Sequence, residues 1–387
     1  MLFLTFLNRV LEKNRKKYSI IKEQEKSDGM KIVVTAGGTM GHINPALAII
    51  EEFKKHEKNL EVLYIGTHNR MEKDVIPKKN IPYESIEIYG FTKNIVNDLK
   101  DIVLIYKAKK KCKEIFKKFQ PDVVIGVGGY VTYPVLKAAK EMHIKTFIHE
   151  QNSIPGKANR MVCKYADLIG VTFLESKKYL KTKGKIIYTG HPCGAWALEI
   201  PKKDKESLGF TKGKKLVTVV AGSLGSGSLN EKMKAYLQQV GKENYEVCYI
   251  TGASHFDDFK KETFPSNVLI FPYIEELPGL LKVSDLIVSR AGAGSLSEIL
   301  ALEIPSIIIP SPNVANNHQY YNALELKEKN CIDLLEEKDL SVETLNKEIH
   351  KMLTDTTIRL KMIHAMHNEA VQNSALIIYQ EIRKLIS

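Results

Sequence analysis

The sequence of 387 residues predicts an α/β protein in which two Rossmann-like domains with parallel sheets face each other across a cleft. The first observation is alternation, because short apolar runs typical of buried strands alternate with helical segments along residues 30–194 and again along residues 195–357. The second is that each half opens with a buried strand, a glycine-rich turn and a helix. The cleft between two such domains is a usual place for a ligand.

The individual elements follow the apolar periodicity. In the first half we expect strands at residues 32–36, 62–65, 123–127, 145–148, 168–171 and 186–189, and helices at 46–55, 97–119, 135–142 and 156–164. The loop 189–194 is rich in turn residues and is a candidate hinge. In the second half we expect strands at residues 216–221, 247–250, 268–270, 286–289 and 306–309, with a helix at 228–239.

Residues 1–29 differ from the rest of the chain. Their first seven residues are apolar but short for a signal peptide, and the remainder is rich in lysine and glutamate. We expect an N-terminal extension that is disordered or amphipathic. It either touches lipid or reflects a start codon assigned upstream of Met30.

Composition limits the possible functions. The five cysteines are scattered and lack CxxC spacing, which argues against a disulfide framework or a zinc site and favours a reducing cytoplasm. No apolar run approaches the roughly 18 residues that a membrane-spanning helix needs. The formal net charge of +12 indicates an anionic partner.

Much of this charge lies in residues 93–118, where nine lysines and three acidic residues are interleaved with aliphatic side chains and Tyr106. This pattern predicts a segment that lies on an anionic membrane surface. The alternative is a solvated helix whose apolar face belongs to the core. Nucleic acid is not expected as a partner, because arginine is scarce here and no nucleic-acid motif is present.

The first glycine-rich turn spans residues 37–41 and precedes a helix opened by Pro45. Its backbone N–H groups and the helix dipole favour phosphate or a developing negative charge. His42 lies in this turn, where an imidazole can exchange a proton with a bound hydroxyl. The alternative is a tight turn that binds nothing. NAD is disfavoured, because residues 66–68 after the second strand contain no carboxylate for a ribose.

The second small-residue turn lies within residues 289–298. Gly292 and Gly294 lack side-chain bulk, so backbone N–H groups can approach a diphosphate, and Ser295 is expected to cap the following helix. Glu298 has two interpretations. It either completes a capping box with Ser295 or accepts hydrogen bonds from two ribose hydroxyls.

Two polar loops complete the candidate site. Residues 149–156 and 310–323 each follow a strand and enter a helix, and Gln319 and Asn322 in the second loop can read sugar hydroxyls. One such amide is usually turn chemistry. Four polar or glycine-rich loops at strand ends in paired α/β domains favour a shared ligand site.

Six motifs occur in order along the chain: GGTMGHINPALA at 37–48, HEQNSIPGKANR at 149–160, TGHP at 189–192, GSLG at 222–225, SRAGAGSLSE at 289–298 and NHQYYNA at 317–323. With these motifs the chain from about residue 30 to its C-terminus resembles the MurG family, a branch of glycosyltransferase family 28. That family transfers N-acetylglucosamine from UDP-N-acetylglucosamine to lipid I during peptidoglycan synthesis, in cell-wall biogenesis, cell shape and cell division.

The resemblance implies a GT-B fold. It assigns residues 30–194 to an acceptor- and membrane-facing domain, 195–357 to a UDP-GlcNAc-binding domain, and 358–387 to a C-terminal helix that packs back on the first domain. It further implies these substrate contacts: Ser223, Ala293, Gly294, Ser295, Leu296 and Ser297 at the diphosphate, Ile274 at the uracil, Glu298 at the ribose, Gln319 at the sugar, and Thr39, Met40, Gly41 and Asn152 between donor and acceptor.

The reaction implied by the resemblance is a direct, inverting displacement. The C4 hydroxyl of N-acetylmuramic acid attacks the anomeric carbon, UDP leaves, and His42 serves as general base or orients the acceptor. Neither a metal nor a cofactor is expected, because helix N-termini and backbone N–H groups carry the leaving-group charge. The resemblance also implies a peripheral location on the cytoplasmic face of the bacterial cell membrane.

The chain departs from the family pattern at three positions. Gly194 stands where the family usually has an arginine that meets the donor, Leu224 replaces a glutamine, and Met40 replaces a common glycine. Three alternatives remain open at this point. They are a UDP-sugar-dependent diacylglycerol glycosyltransferase, a UDP-N-acetylglucosamine 2-epimerase, and a non-catalytic lipid-binding scaffold.

Overall fold

The computed structural model describes residues 29–89, 95–222 and 226–387. Three sequence predictions fall outside these ranges in whole or in part. They concern the N-terminal extension, the beginning of the lysine-rich segment, and Ser223 with its neighbour Leu224.

A seven-stranded parallel sheet forms the first domain within the described residues, with strand order β3-β2-β1-β4-β5-β6-β7. Its strands are β1 (Lys31–Ala36), β2 (Glu61–Thr67), β3 (Tyr83–Ile86), β4 (Val123–Gly128), β5 (Lys145–Glu150), β6 (Leu168–Val171) and β7 (Lys185–Tyr188). The six strands expected in this half are present, and β3 was not predicted.

A six-stranded parallel sheet forms the second domain within the described residues, with order β10-β9-β8-β11-β12-β13. Its strands are β8 (Lys215–Val220), β9 (Tyr245–Ile250), β10 (Val268–Phe271), β11 (Leu286–Ser289), β12 (Ser306–Ile308) and β13 (Asp333–Leu334). The prediction of two parallel-sheet α/β domains is confirmed.

Helices cover the faces of both sheets. They are α1 (Met40–His56), α2 (Glu72–Val75), α3 (Ile95–Phe119), α4 (Thr132–Glu141), α5 (Lys157–Val162), α6 (Pro192–Glu199), α7 (Gly227–Gln239), α8 (Phe256–Lys260), α9 (Leu277–Leu281), α10 (Ala293–Leu302), α11 (His318–Glu328), α12 (Val342–Thr354), α13 (Thr356–Glu369) and α14 (Ser374–Ile386). Short 3₁₀ turns occur at Pro77–Lys79, Cys163–Tyr165, Leu174–Tyr179, Glu206–Leu208, Val240–Lys242, Ala253–His255, Ala315–Asn317 and Glu337–Asp339.

The strand order places the glycine turns at the centre of each sheet. Strand β1 lies between β2 and β4, with Ile32 opposite both Val62 and Val123, so the chain leaves β1 and β4 toward opposite sides. Strand β8 lies in the same way between β9 and β11. In parallel sheets, ligands bind at such a switch point, beyond the carboxyl ends of the strands.

Helix α1 begins earlier than the sequence analysis predicted. The prediction placed its start at Pro45, but the helix begins at Met40, with Thr39 as an extended N-cap residue. His42 therefore lies in the first turn of the helix and not in the loop before it. Pro45 has no N–H to donate to the carbonyl of Gly41, so that carbonyl lacks its usual helical partner.

The predicted single C-terminal helix is two helices. Met362 and Met366 of α13 pack in the core of the second domain, whereas Ile378 and Ile382 of α14 are fully buried against the first sheet. The expectation that residues 358–387 pack back as one unit is therefore wrong for α13. The break at residues 370–373 lets the chain cross from one core to the other.

The two chain crossings between the domains touch each other. Gly190 has a φ of +68°, and a Cβ atom at this position would lie 2.5 Å from Cβ of Val371. Ser374 donates a hydrogen bond of 2.8 Å to the carbonyl of His191. The segments before α6 and before α14 are therefore held together where the domains join.

Candidate active site in the cleft

Two glycine turns of the first domain pack directly on each other. The N–H of Gly37, after β1, donates to the carbonyl of Gly128, the last residue of β4, at 3.1 Å. A Cβ atom on Gly129 would lie 2.5 Å from the carbonyl oxygen of Gly37, and the φ of +89° at Gly129 also favours glycine. The second of these turns was not identified from the sequence. Its signal was a pair of glycines after a strand.

His42 lies over this contact. Its Nδ1 is 3.1 Å from the carbonyl oxygen of Gly37, and because a carbonyl only accepts, Nδ1 carries the proton. Its ring covers Gly128, where a Cβ atom would lie 2.6 Å from Cδ2. Burial lowers the pKa of His42, with a smaller lowering from His318 of the second domain. At neutral pH the ring is therefore neutral, with an unprotonated Nε2.

The neighbouring residues of this turn differ in exposure. The side chain of Thr39 is exposed and makes no capping hydrogen bond to the helix it precedes. Gly41 is exposed, and Met40 is half-buried against the core.

Asn152 is oriented by a buried carboxyl group. Its backbone N–H donates to Oε1 of Glu150 at 2.9 Å, and Asn159 donates from its side chain to Oε2 at 2.8 Å. Burial raises the pKa of Glu150 from 4.5 to about 7, while these hydrogen bonds oppose the shift. The polar loop after β5 is thus built around a carboxyl group that exchanges a proton near neutral pH.

Asn322 connects the two domains. Its Oδ1 accepts from the N–H of Ser153 at 2.9 Å, and its Nδ2 donates to Oδ1 of Asn152 at 3.1 Å and to the carbonyl of Ala291 at 3.4 Å. The amide is completely buried. In this arrangement Asn322 joins the domains and does not offer its amide to a sugar, contrary to the interpretation from sequence.

The second domain contributes the start of α10. Its N-cap is Gly292, not the predicted Ser295, because the first helical hydrogen bond runs from the N–H of Leu296 to the carbonyl of Gly292 at 2.9 Å. Glu298 consequently lies in the second turn, which removes the capping-box interpretation. Burial raises the pKa of Glu298 to about 8.

Two further predicted site residues lie at loops of the second sheet. Ile274 is buried in an apolar cluster after β10, whereas the adjacent Tyr273 is 66% exposed. Oε1 of Gln319 accepts from the N–H of Ser311 at 2.9 Å, which fixes the amide and leaves Nε2 for a ligand.

Metal-binding geometry is not found in the described residues. Within residues 29–89, 95–222 and 226–387, no group of three or more His, Cys, Asp or Glu side chains is arranged to hold a metal ion.

Sequence profiles identify the family of both halves. The profile of the glycosyltransferase family 28 N-terminal domain matches residues 32–171, and the profile of the C-terminal domain of the same family matches residues 216–377. The chain belongs to glycosyltransferase family 28.

Family 28 relatives match along almost the whole chain. A protein of Bacillus licheniformis is 39% identical over 362 residues, covering 92% of this chain and 99% of its own. Its name is UDP-N-acetylglucosamine--N-acetylmuramyl-(pentapeptide) pyrophosphoryl-undecaprenol N-acetylglucosamine transferase. A Bacillus cytotoxicus protein of the same name is 40% identical over 363 residues, covering 92% of this chain and 100% of its own.

Solved structures agree on the fold. The crystal structure of Acinetobacter baumannii MurG aligns with a TM-score of 0.72 and 25% identity, covering 92% of this chain and 99% of that one. A UDP-GlcNAc 2-epimerase from Neisseria meningitidis bound to UDP-GlcNAc aligns with a TM-score of 0.65 and 16% identity, covering 92% of this chain and 100% of that one, which shows the shared fold alone.

Gly194, one of the three departures from the family pattern, is part of a close helix contact. A Cβ atom at this position would lie 2.9 Å from the carbonyl oxygen of Ser297 and 3.4 Å from Cβ of Ala301. Helix α6 therefore packs against α10 more closely than an arginine at 194 permits without a backbone shift. No arginine side chain is therefore present at this position of α6.

Arg290 joins several loops of the second domain and was not identified from sequence. Its guanidinium, 5% exposed, contacts Oε2 of Glu337 at 2.5 Å, and its Nη2 donates to Oγ of Ser226 at 2.5 Å. Nη1 also donates to the carbonyl of Ile309 at 3.2 Å. Arg290 thus connects the loops that follow β8, β11 and β12.

The raised pKa of Glu150 predicts a pH dependence of stability. The pKa of Glu150 is about 7 in the folded state and 4.5 in the unfolded state. Because the folded value is the higher one, Glu150 makes its full contribution to the free energy of unfolding below pH 4.5, and this contribution is lost as pH rises through 7. The loss amounts to about 3 kcal/mol. In Glu150→Gln we expect that slope to disappear and stability above pH 8 to exceed that of the wild type.

Urea unfolding between pH 4.5 and 8.5 measures this change. Glu246→Gln is the matched control, because Glu246 is a buried glutamate of the second domain that accepts hydrogen bonds from Thr211. That control should retain the slope. An unchanged slope in Glu150→Gln would show that another group titrates.

Proposed function

We propose that this family 28 enzyme transfers N-acetylglucosamine from UDP-N-acetylglucosamine to the C4 hydroxyl of N-acetylmuramic acid in lipid I, which forms lipid II for peptidoglycan synthesis. Relatives that are 39% and 40% identical over 92% of the chain bear the name of this activity. The structural observation that supports it most directly is His42, a neutral imidazole with Nε2 unprotonated, beside two glycine turns and within electrostatic reach of the second domain.

The proposed chemistry is a single inverting displacement. Nε2 of His42 accepts the proton of the C4 hydroxyl as its oxygen forms a bond to the anomeric carbon. The bond from the anomeric carbon to the diphosphate oxygen breaks with its electron pair, and UDP leaves. Helix N-termini and backbone N–H groups stabilise the charge on the leaving diphosphate.

The donor is proposed to bind on the second domain. The N-terminus of α10 at Ala293, Gly294 and Ser295, with Leu296 and Ser297 in the same turn, supports a diphosphate site, because three N–H groups precede the first helical hydrogen bond. Ser223 is assigned to the same diphosphate through the family pattern. Ile274 is assigned to the uracil, Glu298 to the ribose and Gln319 to the sugar.

The first domain is proposed to receive the acceptor. Through the family pattern we assign Thr39, Met40, Gly41 and Asn152 to contacts between donor and acceptor. Thr39 and Gly41 are exposed, and the backbone N–H of Asn152 is held by Glu150. Asn152 already contacts the second domain through Asn322, so it lies where donor and acceptor would meet.

The membrane-facing surface is proposed to include α3. One face of this helix is core, with Ala108, Cys112 and Phe116 buried, and its other side leaves Val103 52% and Tyr106 65% exposed among lysines. The core interpretation of the lysine-rich segment applies to the first face, and we propose the membrane interpretation for the second. No helix within the described ranges is long and apolar enough to cross a membrane. We propose peripheral association with anionic lipid on the cytoplasmic face.

Transfer of labelled N-acetylglucosamine to a short-chain lipid I analogue tests the activity. We expect labelled product with lipid I and none with diacylglycerol or with the donor alone. In His42→Ala we expect kcat to fall about 10²- to 10⁴-fold, with KM for UDP-N-acetylglucosamine nearly unchanged, because only the proton acceptor is lost.

His143→Asn is the control for that experiment. His143 is exposed and has a φ of 59°, a conformation that asparagine tolerates. It should retain wild-type kcat. Transfer to diacylglycerol would replace the proposed acceptor, and full activity of His42→Ala would remove His42 from the base role.

The raised pKa of Glu298 predicts proton release on donor binding. The free group is largely protonated at pH 7.5, because its pKa is about 8. Two ribose hydroxyls donating to it favour the carboxylate and lower that pKa. We expect UDP binding to release about 0.5 to 1 proton, measured by calorimetry in phosphate and Tris buffers. Glu298→Gln should bind with no release, and an equal release from that variant would assign the proton to another group.

Sedimentation with phosphatidylglycerol vesicles tests the membrane surface. Replacing Val103 and Tyr106 by glutamate places two charges on the proposed lipid face and should reduce the bound fraction about fivefold or more at low salt. Leu360→Glu is the control, because Leu360 is 60% exposed on α13 of the second domain. Equal losses in both variants would contradict a specific face.

A further inference from the structure

A buried carboxylate lies beneath the first glycine turn. Glu72, the first residue of α2, is completely buried. Its Oε1 accepts hydrogen bonds from the N–H of Thr67 at 3.0 Å and from the hydroxyl of the same residue at 2.6 Å, and its Oε2 accepts from the N–H of Gly38 at 3.0 Å. These bonds offset the cost of burying the carboxylate and join the end of β2 to the turn after β1.

One peptide group connects this carboxylate to His42. The N–H that donates to Glu72 belongs to Gly38, and the carbonyl that accepts from His42 Nδ1 at 3.1 Å belongs to Gly37. Both groups are parts of the same planar trans peptide, whose N–H and C=O point in opposite directions. A carboxylate on the N–H side polarises the peptide and strengthens its carbonyl as an acceptor.

We propose that Glu72 is a positioning residue for His42: acting through the peptide between Gly37 and Gly38, it holds the imidazole proton on Nδ1 and leaves Nε2 as the proton acceptor. This inference rests on the proposed function only in naming the acceptor hydroxyl as the group that Nε2 serves. The role resembles that of a carboxylate that orients a catalytic histidine directly, with a peptide group inserted between the two side chains.

The surrounding glycines make room for this arrangement. A Cβ atom on Gly37 would lie 2.6 Å from Oε1 of Glu72, and one on Gly66 would lie 2.7 Å from its Cγ. Gly38 has a φ of +97°, the left-handed region that favours glycine. Three glycines therefore allow the carboxylate to reach the peptide that holds His42.

Two tyrosines and one aspartate are the titratable groups that concern the Glu72 side of this arrangement. Tyr64 and Tyr83 face the carboxylate from β2 and β3, and the pKa of each is raised by burial and then by the charge of Glu72. Asp74 of α2 also faces Tyr83. The phenols donate to the carbonyls of Ala36 at 2.9 Å and Thr67 at 2.5 Å, so they do not donate to Glu72.

His42 is faced by two charged or titratable groups on other elements. Glu72 raises its pKa, whereas His318 of α11 and, above all, burial lower it. Removing the charge of Glu72 therefore lowers the pKa of His42 further. The consequence is that His42 becomes a weaker base and that the acid limb of the kcat–pH profile moves to lower pH.

Glu72→Gln tests the inference because it keeps the shape and removes the charge. We expect kcat to fall about tenfold or more, KM for UDP-N-acetylglucosamine to stay within about twofold, and the acid limb of the kcat profile to move to lower pH. In ¹⁵N-histidine spectra the His42 signal, assigned by its loss in His42→Ala, should shift from the Nδ1–H form toward the Nε2–H form.

Two variants separate positioning from folding. Glu52→Gln removes a buried carboxylate of α1 that binds Lys55 and His56 at 3.0 Å, and should leave the His42 spectrum and the pH profile unchanged. Thr67→Val removes one donor to Glu72 and should give a smaller change in the same direction as Glu72→Gln. It serves as the test if Glu72→Gln does not fold.

The outcomes distinguish this inference from the proposed function. If Glu72→Gln, or Thr67→Val in its place, leaves the tautomer and the titration of His42 unaltered, the positioning role is overturned. If the spectrum changes as expected while His42→Ala retains transfer activity, Glu72 positions His42 but His42 is not the base.

Discussion

The contact between the turns that end β1 and β4 is the constraint on which the first domain's part of the site depends. The N–H of Gly37 reaches the carbonyl of Gly128, and Gly129 has no space for a side chain against Gly37. The imidazole of His42 then occupies the space that a side chain at Gly128 would fill. Because the backbone of two adjacent strands sets this geometry, the position of His42 depends on the sheet as much as on its own helix.

Small residues control the approach of the two domains as well. Gly190 lies against Val371 where the chain crossings meet, and Gly194 lies against the carbonyl of Ser297. The buried amide of Asn322 adds three hydrogen bonds to the first domain, since it accepts from the N–H and the hydroxyl of Ser153 and donates to the side chain of Asn152. Each is worth about 1 kcal/mol, so together they favour one relative orientation of the two domains.

The sequence predicted those features that depend on local pattern. Strands that are buried on both faces are short apolar runs, and the glycine turns mark the position at which the strand order of each sheet reverses. Helix ends were less predictable. Thr39 is an extended N-cap that makes no capping bond, so Pro45 gave the stronger but misleading signal. The break between α13 and α14 depends on which domain core each helix packs against. The apolar periodicity of residues 358–386 does not indicate which core that is.

Site residues whose roles depend on distant partners could not be predicted. Glu72 is one of several charged residues in its segment. Its role depends on a hydrogen bond with Gly38, which lies 34 residues away in the sequence. Asn322 was interpreted as a sugar-binding amide because the sequence shows that it lies in a polar loop. The sequence does not show that a loop of the other domain packs against it. Its partners, Asn152 and Ser153, lie about 170 residues away.

Burial determines the charge of the cleft before any ligand arrives. It lowers the pKa of His42 and raises those of Glu150 and Glu298 to about 7 and about 8, so near neutral pH the imidazole is uncharged and both carboxyls are largely or partly protonated. A diphosphate entering the cleft therefore meets helix N-termini and N–H groups and little opposing carboxylate charge. If Glu298 binds the ribose as we propose, the hydrogen bonds it accepts favour its deprotonation only once the nucleoside has arrived, which separates attraction of the anion from recognition of the nucleoside.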